Sequence, residues 1–347
     1  MQKNEFLKAG IFTLVLTIAF VGSYELWLRN HGYSISYDDD ERLWADKRSQ
    51  VYESPDKAVV FIGSSRIKFD LDIPTWKKET GQNAIQLAMV GSTPLPLLHD
   101  LAEDKNFKGK LIVDVTEILF FNKAKPFLQR PSKGITYYHK NTPSGKAGFG
   151  ISHLLESKFV FLDNEFFSLD AHLKKLPVKD RPGIYGGLVF PWEFDRTMFD
   201  RQSKMDDRFV ADTNLQNQVR AVWASLGKAM KDPPPSGAAL DTILASVKAD
   251  VDKIKARGGQ VLFVRTPSSG PFWMGEQQGF PREKYWNKIL EVTGCAGVYF
   301  KDYPAIANFQ CPEFSHLSPS DAAVFTKNLV QILEKDKGWQ FPNKNSL

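Results

Sequence analysis

The sequence is poor in cysteine and has no basic run. Cys295 and Cys311 are the only cysteines among 347 residues, and they lack the close repeated spacing of a zinc knuckle. Lysine and arginine number 45, aspartate and glutamate number 40, and the two signs are scattered along the chain. Because nucleic-acid surfaces need clustered basic residues, this distribution excludes nucleic acid as the main partner.

Internal repeats and low-complexity tracts are also absent from the sequence. Apolar residues make up 42% and charged residues 24%, a balance typical of a folded globular chain. A chain of 347 residues can bury a large core, so its length does not require a second domain.

The two cysteines leave two alternatives open. In an oxidising compartment Cys295 and Cys311 could pair, closing a loop of about 15 residues that stabilises the fold by about 3 kcal/mol. The alternative is a pair of buried free thiols.

Charge is missing from Ala9 to Tyr24, a run that Lys3 and Lys8 precede. An apolar segment of this kind predicts a membrane-spanning helix, with residues 1–30 as an anchor. Basic residues on the short side favour a cytoplasmic N-terminus and a body outside the cytoplasm, periplasmic or at the cell surface. A signal peptide cleaved near Val21-Gly22-Ser23 is the alternative. Both interpretations predict export.

Residues 31–57 carry the acidic cluster Asp38-Asp39-Asp40-Glu41. This cluster lacks the turn glycine and the distal glutamate of a calcium loop. We therefore expect a stalk whose acidic residues form a solvated surface rather than a metal site.

From residue 58 onward, short apolar runs alternate with segments of helical spacing. Apolar runs of this length are typical of strands covered on both faces. Strands are predicted at 58–62, 84–89, 111–115, 261–264 and 298–300. Helices are predicted at 94–104, 240–255, 283–292 and 318–335. The alternation predicts one α/β domain over residues 58–347 with a mostly parallel sheet.

Residues 120–235 show no strand pattern and predict an insertion, or cap, over the carboxyl edge of the sheet. The part at 123–150 resembles a loop, whereas 200–231 is charged and has helical spacing. Pro233-Pro234-Pro235-Ser236-Gly237 then marks the return to the core.

A serine follows the first predicted strand, where Gly63-Ser64-Ser65-Arg66 must turn sharply into a helix. Such a turn exposes the Ser65 hydroxyl. It also points backbone N–H groups at whatever binds there, which suits a developing oxyanion. A polar turn or a helix cap is the alternative use of the same residues.

A carboxylate and a histidine stand just before the last predicted helix. Glu313 precedes His316 by three residues, a spacing that lets the carboxylate bond the imidazole. The free ring nitrogen can then remove a serine proton. His316 is the only one of six histidines that combines this carboxylate with a position late in an αβ unit.

These two motifs together resemble the SGNH hydrolase family, also called GDSL hydrolases. The resemblance covers about residues 58–104 and 260–333. Gly91 resembles the glycine whose N–H joins the family's oxyanion hole, and His316-Leu317-Ser318 resembles the family's His-Leu-Asn/Ser pattern. The resemblance implies a three-layer α/β/α fold of the flavodoxin type.

The resemblance also implies the roles of individual residues. Ser65, His316 and Glu313 would be catalytic, and the oxyanion would be held by Ser65, Gly91 and Thr116. No metal and no cofactor are implied.

Three departures from the family pattern stand out. Ser64 replaces the usual aspartate before the nucleophile, and Glu313 replaces the usual acid aspartate. Asp114-Val115-Thr116-Glu117 is the nearest counterpart of the third block and lacks its asparagine, so Thr116 is the substitute donor. Loss of one oxyanion donor costs about two to three orders of magnitude in rate.

The Gly-Ser-Ser form with an N-terminal anchor is similar to the envelope branch of this family. That branch includes the D-alanine-transfer protein of teichoic-acid modification and the alginate and peptidoglycan O-acetylation proteins. It implies ester chemistry on an acylated envelope glycan through an acyl-Ser65 intermediate, beside a membrane-bound O-acyltransferase. The alternative is an inactive SGNH-like subunit that binds a glycan or that acyltransferase.

Further candidates follow other strands. Arg265 follows a predicted strand and could meet an anionic substrate group, Trp273 could stack on a sugar, and Arg66 could recruit charge. A structural ion pair, a packed aromatic and a surface role are the respective alternatives. His153 and Glu156 have helical spacing but no third metal ligand.

An α/β-hydrolase is disfavoured as the fold. Arg66-Ile67 breaks the Gly-x-Ser-x-Gly motif of that class, and the acid and base lie too close together in the sequence.

Overall fold

A computed structural model describes residues 2–175, 189–229 and 232–341. They divide into two compact units. The helical unit comprises the described residues of 1–38 and 142–189. The sheet unit comprises those of 39–141 and 190–347.

The strands form one five-stranded parallel sheet and one antiparallel pair. In chain order they are β1 (Ala58–Ile62), β2 (Asn83–Gln86), β3 (Lys110–Asp114), β4 (Arg196–Thr197), β5 (Ser203–Lys204), β6 (Gln260–Arg265) and β7 (Ala296–Tyr299). The large sheet has the order β2-β1-β3-β6-β7, and all its neighbours are parallel. The predicted α/β class and parallel sheet are therefore confirmed.

Helices occupy most of the remaining described chain. They are α1 (Gln2–Asn30), α2 (Glu41–Arg48), α3 (Ser65–Asp70), α4 (Ile73–Thr80), α5 (Leu95–Glu103), α6 (Glu117–Phe120), α7 (Lys125–Lys140), α8 (Pro143–Glu156), α9 (Asn164–Phe167), α10 (Leu169–Lys175), α11 (Asp207–Ala211), α12 (Thr213–Ala229), α13 (Ala238–Ala256), α14 (Gly270–Gly279), α15 (Trp286–Thr293) and α16 (Pro319–Lys337). Short 3-10 turns lie at Val160–Leu162 and Phe300–Asp302.

Alternate residues of the central strands belong to two separate apolar clusters. Val60 and Ile62 of β1 cluster with residues of α5, α13 and α15. Val59 and Phe61 cluster with residues of α3, α4 and α16. Because side chains alternate between the faces of a strand, both faces of the sheet are buried. This explains why the strands were recognisable as unbroken apolar runs.

The helix α1 is long and apolar enough to cross a membrane, as its sequence predicts. Within the helical unit, the carboxylate of Glu25 accepts hydrogen bonds from the backbone N–H groups of Val160 and Phe161, at 3.0 and 3.2 Å. One side of the last turns of α1 is therefore covered by this unit, and Leu28 is fully buried.

The expected loop at 123–150 is helical, because α7 and α8 span most of it. Pro131 and Gly134 lie inside α7 and hid the helix in the sequence. Gly134 leaves room there for two side chains, since a Cβ would lie 2.6 Å from the Met89 Cε atom and 3.2 Å from the Trp44 ring. The glycine lets α7 pack closely on the core.

The predicted stalk at 31–57 differs in the structure, because it contains α2. Leu43, Trp44 and Arg48 of this helix are buried, and the Trp44 indole N–H donates to the Leu87 carbonyl at 3.0 Å. The stretch from Asp39 onward therefore belongs to the sheet unit.

The acidic cluster is not simply a solvated surface. Asp39 is buried against Arg201 and Lys68, with contacts of 2.7 and 2.8 Å. Burial opposes ionisation of Asp39, but these cations outweigh it and hold the pKa of the carboxyl well below its usual value. Asp40 caps α2 through the N–H groups of Arg42 and Leu43. No local pattern in the sequence indicates the contact between Asp39 and the distant Arg201.

The predicted insertion at 120–235 is divided between the two units. Its central part belongs to the helical unit, and its last described part, with the β4–β5 pair, α11 and α12, belongs to the sheet unit. Arg201, in the turn of that pair, donates to the carbonyls of Gln86 and Ala88 at 2.8 and 2.9 Å. This arginine attaches the strand pair to the chain that leaves β2.

Candidate active site

The polar residues of interest follow the carboxyl ends of neighbouring strands. The chain passes from β1 to β2 on one side and later to β3 on the other side, so connections diverge at the ends of β1 and β3. In open parallel sheets such a divergence leaves a crevice where ligands bind. Ser65 begins α3 directly beyond β1, and Thr116 lies two residues beyond the end of β3.

Ser65, His316 and Glu313 form one hydrogen-bonded chain. The Ser65 Oγ atom lies 2.9 Å from His316 Nε2, and His316 Nδ1 lies 2.9 Å from Glu313 Oε1. An ionised carboxylate can only accept, so Nδ1 carries the hydrogen and Nε2 accepts from the serine. His316 is 1% exposed and Glu313 is fully buried, whereas Ser65 is half-buried. The arrangement can remove the serine proton and hold the resulting imidazolium.

The helix α3 also holds both residues that flank His316. Arg66 Nε donates to the Ser315 hydroxyl at 3.2 Å, and Asp70 Oδ1 accepts from the Leu317 backbone N–H at 2.9 Å. The helix α3, which carries Ser65, therefore fixes the position of His316. This coupling keeps the two atoms within hydrogen-bonding reach.

The Asp70 carboxyl is fully buried beside the Ser65 chain. Burial raises its pKa well above the usual value, and nearby Asp114 and Glu313 raise it further, although the Leu317 N–H and Arg66 oppose them. Its Oδ2 atom is buried and has no hydrogen-bond partner among the described residues. These surroundings disfavour the charged form of the Asp70 carboxyl, which lies near Glu313.

A strained turn at Phe314 separates Glu313 from His316. The φ of Phe314 is 77°, in the left-handed region that bulky residues rarely adopt. Its N–H donates to the Cys311 carbonyl, and its carbonyl accepts from the Ser269 N–H, both at 3.0 Å. The turn lets Glu313 Oε1 accept from the backbone N–H of His316 at 2.6 Å as well as from its ring. Strain of about 1–3 kcal/mol is typical of such residues at functional sites.

An aromatic enclosure surrounds the His316 ring. Ring centroids of Phe69, Phe194 and Trp223 lie 4.5, 5.7 and 6.1 Å from it. The Trp223 indole N–H also donates to Glu313 Oε2 at 2.5 Å. Sequence analysis missed Trp223. Its spacing from Leu215 and Val219 on α12 does indicate a core-facing helix, but nothing local names the carboxylate it meets.

Two of the three predicted oxyanion donors, Thr116 and Gly91, have different surroundings. The Thr116 hydroxyl donates to Asp114 Oδ2 and accepts from the Ser64 hydroxyl, both at 3.0 Å. The Thr116 hydroxyl hydrogen is therefore already used in the bond to Asp114 and does not point to an oxyanion in this arrangement. Gly91 is exposed with a φ of 59°, two residues beyond Met89, whose N–H donates to the Gly63 carbonyl. Backbone N–H groups at Ser65 and Gly91 are the donors that remain.

Arg66 and Arg265 belong to a buried ion cluster rather than to an open surface. Both donate to Glu276, and Arg265 Nε also meets Glu117 Oε1 at 3.3 Å. Burial opposes ionisation of Glu276, but Arg265 and Arg66 lower its pKa to about 2. The ion-pair alternative thus describes Arg265 in this structure, whereas the surface role expected for Arg66 does not describe it, because Arg66 is buried. The substrate role of both arginines stays a prediction.

Trp273 lies partly buried beside that cluster. Its ring packs edge-on against Phe300 at 5.0 Å, and the Arg265 guanidinium lies 5.3 Å from its centroid. It borders a cavity of about 460 Å³ that Arg265, Tyr299 and Lys301 also line. Stacking on a sugar at this cavity stays a prediction.

The cysteines are not bridged in the structure. Cys295 and Cys311 are both free, and burial raises the pKa of the Cys311 thiol well above its usual value. Both thiols are therefore free, as in the second alternative, but only Cys311 is buried and Cys295 is half-buried.

One group of candidate metal ligands occurs among the described residues, and it lies on α5 and α13. His99 Nδ1 is 3.0 Å from Asp250 Oδ1, and Glu103 pairs with Lys253. Those contacts account for the proximity of the group. The predicted absence of a metal stays a prediction.

No protein-family model matches the chain, and no curated protein matches it. The chemistry of the site is therefore inferred from its own residues.

Proposed function

We propose that the protein is a serine esterase or O-acyltransferase with Ser65 as nucleophile, on an SGNH-type, three-layer α/β/α fold. The observation that carries this proposal is the continuous hydrogen-bonded chain from Ser65 Oγ through His316 to Glu313. The motifs after the first strand and before the last helix, which resemble the SGNH family, support the same class.

The reaction has two halves. Ser65 Oγ attacks the carbonyl carbon of an ester while His316 Nε2 takes the hydroxyl proton. Backbone N–H groups of Ser65 and Gly91 receive the negative charge that develops on the carbonyl oxygen. The carbon–oxygen bond to the leaving alcohol then breaks, His316 returns the proton to that alcohol, and the acyl group stays on Ser65.

The second half decides between hydrolysis and transfer. Water, or a glycan hydroxyl, loses its proton to His316 and attacks the acyl carbon, which frees Ser65. Glu313 stabilises the imidazolium in both halves, and the Trp223 N–H holds the far oxygen of Glu313. A hydroxyl acceptor gives acyl transfer and water gives hydrolysis.

The proposed substrate is an acylated glycan of the cell envelope, with α1 as a membrane span. The N-terminus would be cytoplasmic and the body extracytoplasmic. The length and apolar composition of α1 support the span, and Lys3 and Lys8 support the orientation. Resemblance to the envelope branch supports a membrane-bound O-acyltransferase as partner.

A second candidate function is a binding subunit that retains the fold without efficient catalysis. One observation favours it: the Thr116 hydroxyl hydrogen goes to Asp114, so the missing asparagine has no substitute donor. A missing donor costs about 10²–10³ in rate. Such a subunit would bind a glycan or the acyltransferase at the same edge.

The test is the intact mass of the full chain in detergent after brief exposure to an aryl acetate. The expected result is one added acetyl group on the wild type and on Ser64→Ala, and none on Ser65→Ala. Ser64 is the matched control because it is the adjacent serine and its hydroxyl donates to Thr116, whereas the Ser65 hydroxyl meets His316. An unmodified wild type that is folded by circular dichroism would favour the binding subunit.

A further inference from the structure

Exposed large apolar side chains concentrate in the helical unit. Among the described residues outside α1, ten are exposed, and seven of these lie in this smaller unit. The seven are Ile151, Leu154, Leu155, Phe159, Leu169, Leu173 and Val189. Soluble surfaces scatter such side chains singly, so their concentration marks a contact surface.

Three of these side chains lie on one side of α8, and a fourth follows just beyond its end. Ile151, Leu154 and Leu155 lie on α8, where spacings of three and four residues place them on one side of the helix. Phe159 lies three residues beyond Glu156, the last residue of α8. Ile151 is 65% exposed and Leu154 is 58% exposed, so this side of α8 is not covered by the described chain. We call these four residues the α8 stripe.

The end of the α8 stripe is fixed to α1. Glu25 accepts from the N–H groups of Val160 and Phe161, and the Arg29 guanidinium donates to the Lys158 carbonyl at 2.8 Å. Arg29 Nε also donates to Glu25 at 2.7 Å. Glu25 is 7% exposed, so these bonds are shielded from water at the level where the stripe ends.

Glu25 lies on α1 at the expected boundary of the bilayer. The uncharged run of α1 ends at Tyr24, directly before Glu25. The rings of Tyr24 and Trp27 stack at 6.2 Å, and such aromatic side chains favour the membrane interface. A helix of 29 residues extends about 43 Å, against about 30 Å for the hydrocarbon core, so its last turns emerge from the membrane.

We infer that the α8 stripe is an interfacial membrane-binding surface that inserts into the lipid crossed by α1. We assign lipid as the partner of the stripe because residues 158–161, where the stripe ends, hydrogen-bond to α1 at the end of the apolar run of α1. An interfacial helix of this kind buries its apolar side about 5–10 Å into the headgroup and acyl boundary. The inference rests on the membrane span of the proposed function, but not on the reaction at Ser65.

The test is depth-dependent quenching of an environment-sensitive fluorophore on the full chain. The chain is placed in nanodiscs of phosphatidylethanolamine and phosphatidylglycerol that contain lipids spin-labelled near the headgroup or at mid-chain. A Cys295→Ser background leaves the buried Cys311 as the only native thiol. The label sits at Leu154→Cys, with Lys146→Cys as the control on the same helix, about 80° from Leu154 and about 140° from Ile151 at 100° per residue.

Two further labels complete the design. Val324→Cys reports an exposed apolar position of the sheet unit, and Leu16→Cys reports α1 itself. We expect the shallow spin label to quench Leu154 at least about threefold more than Lys146 or Val324, as insertion to the acyl boundary requires. Mid-chain spin labels should quench Leu16 most strongly.

The outcomes separate the stripe from the span. Equal, weak quenching at Leu154 and Lys146 overturns the α8 stripe, whatever Leu16 shows. A blue-shifted but unquenched label at Leu154 also overturns it, because protein and not lipid would then cover the stripe. An unquenched label at Leu16 overturns the membrane span instead, while the chemistry at Ser65 is judged separately by acylation.

Discussion

Two polar clusters stand at the carboxyl edge of the same sheet, one around Ser65 and one around Arg265. The first begins just beyond β1 and the second at the last residue of β6, and Arg66 connects them through Glu276. The Ser65 chain ends in a half-buried hydroxyl. In the Arg265 cluster, the guanidinium is bonded to Glu117, Glu276 and Ser268 and is only 1% exposed.

A position at the end of a strand determines where a side chain lies, but it does not determine whether that side chain reacts. It brings a side chain to the edge where ligands bind in parallel sheets. Whether that side chain reacts depends on how many of its hydrogen bonds and how much of its charge are already taken up by neighbouring groups. Ser65 retains an accessible oxygen next to a base, whereas the charge of Arg265 is already neutralised by buried carboxylates.

The largest effect is expected for Glu313→Gln, which changes only the cluster around Ser65. An amide can present its NH₂ to Nδ1 and favour the wrong imidazole tautomer, so kcat/KM for an aryl acetate should fall by about 10³–10⁴. Glu313→Asp, which keeps the charge, should lose less. A Glu313→Gln enzyme within a few-fold of wild type would contradict the acid role of Glu313.

Arg265→Met tests whether the second cluster is structural. Removing one partner leaves Glu117 and Glu276 buried without their main cation, so the free energy of unfolding should fall by about 3–5 kcal/mol. Denaturant titration measures this, and Arg265→Met with Glu117→Gln should recover part of the loss. A normal stability combined with a raised KM would instead make Arg265 a substrate ligand.

Asp39→Asn should destabilise the sheet unit by about 1–3 kcal/mol at neutral pH, since Arg201 and Lys68 lose their carboxylate. Because the folded pKa of Asp39 is depressed, its stabilisation is present above the unfolded value near 3.9 and is lost as pH falls below it. The wild-type advantage over Asp39→Asn should therefore vanish in acid. Exposed Asp241→Asn is the control, and an equal loss there would contradict the account.

Trp223→Phe should have the smallest effect, because the ring remains and only the N–H to Glu313 is lost. A lost hydrogen bond to a charged group is worth about 1.5–3 kcal/mol at most, so kcat should fall by about tenfold or somewhat more. KM should stay nearly constant, as expected of a positioning residue. A change confined to KM would place Trp223 in substrate binding.

Local patterns in the sequence were sufficient for the sheet. The five predicted strands correspond to β1, β2, β3, β6 and β7, because buried parallel strands read as short apolar runs. The spacing of Glu313 and His316 likewise predicted a contact that the structure contains. A separation of three residues makes that contact local.

Features that depend on distant partners could not be predicted from the sequence. Asp39 meets Arg201 at a separation of 162 residues, and Trp223 meets Glu313 at a separation of 90. The helix α7 was not predicted because Pro131 and Gly134 lie inside it, and both residues are accommodated in the packed fold. In each case long-range packing overrides the local pattern.

The most direct test of the central claim is the rate at which a fluorophosphonate probe labels the full chain in detergent. The account predicts labelling of the wild type and of Ser64→Ala, none of Ser65→Ala, and at least about a hundredfold slower labelling of His316→Ala, since proton removal by a general base contributes 10²–10⁴. Labelling that persists in Ser65→Ala, or that is equally fast in His316→Ala, would contradict an activated Ser65.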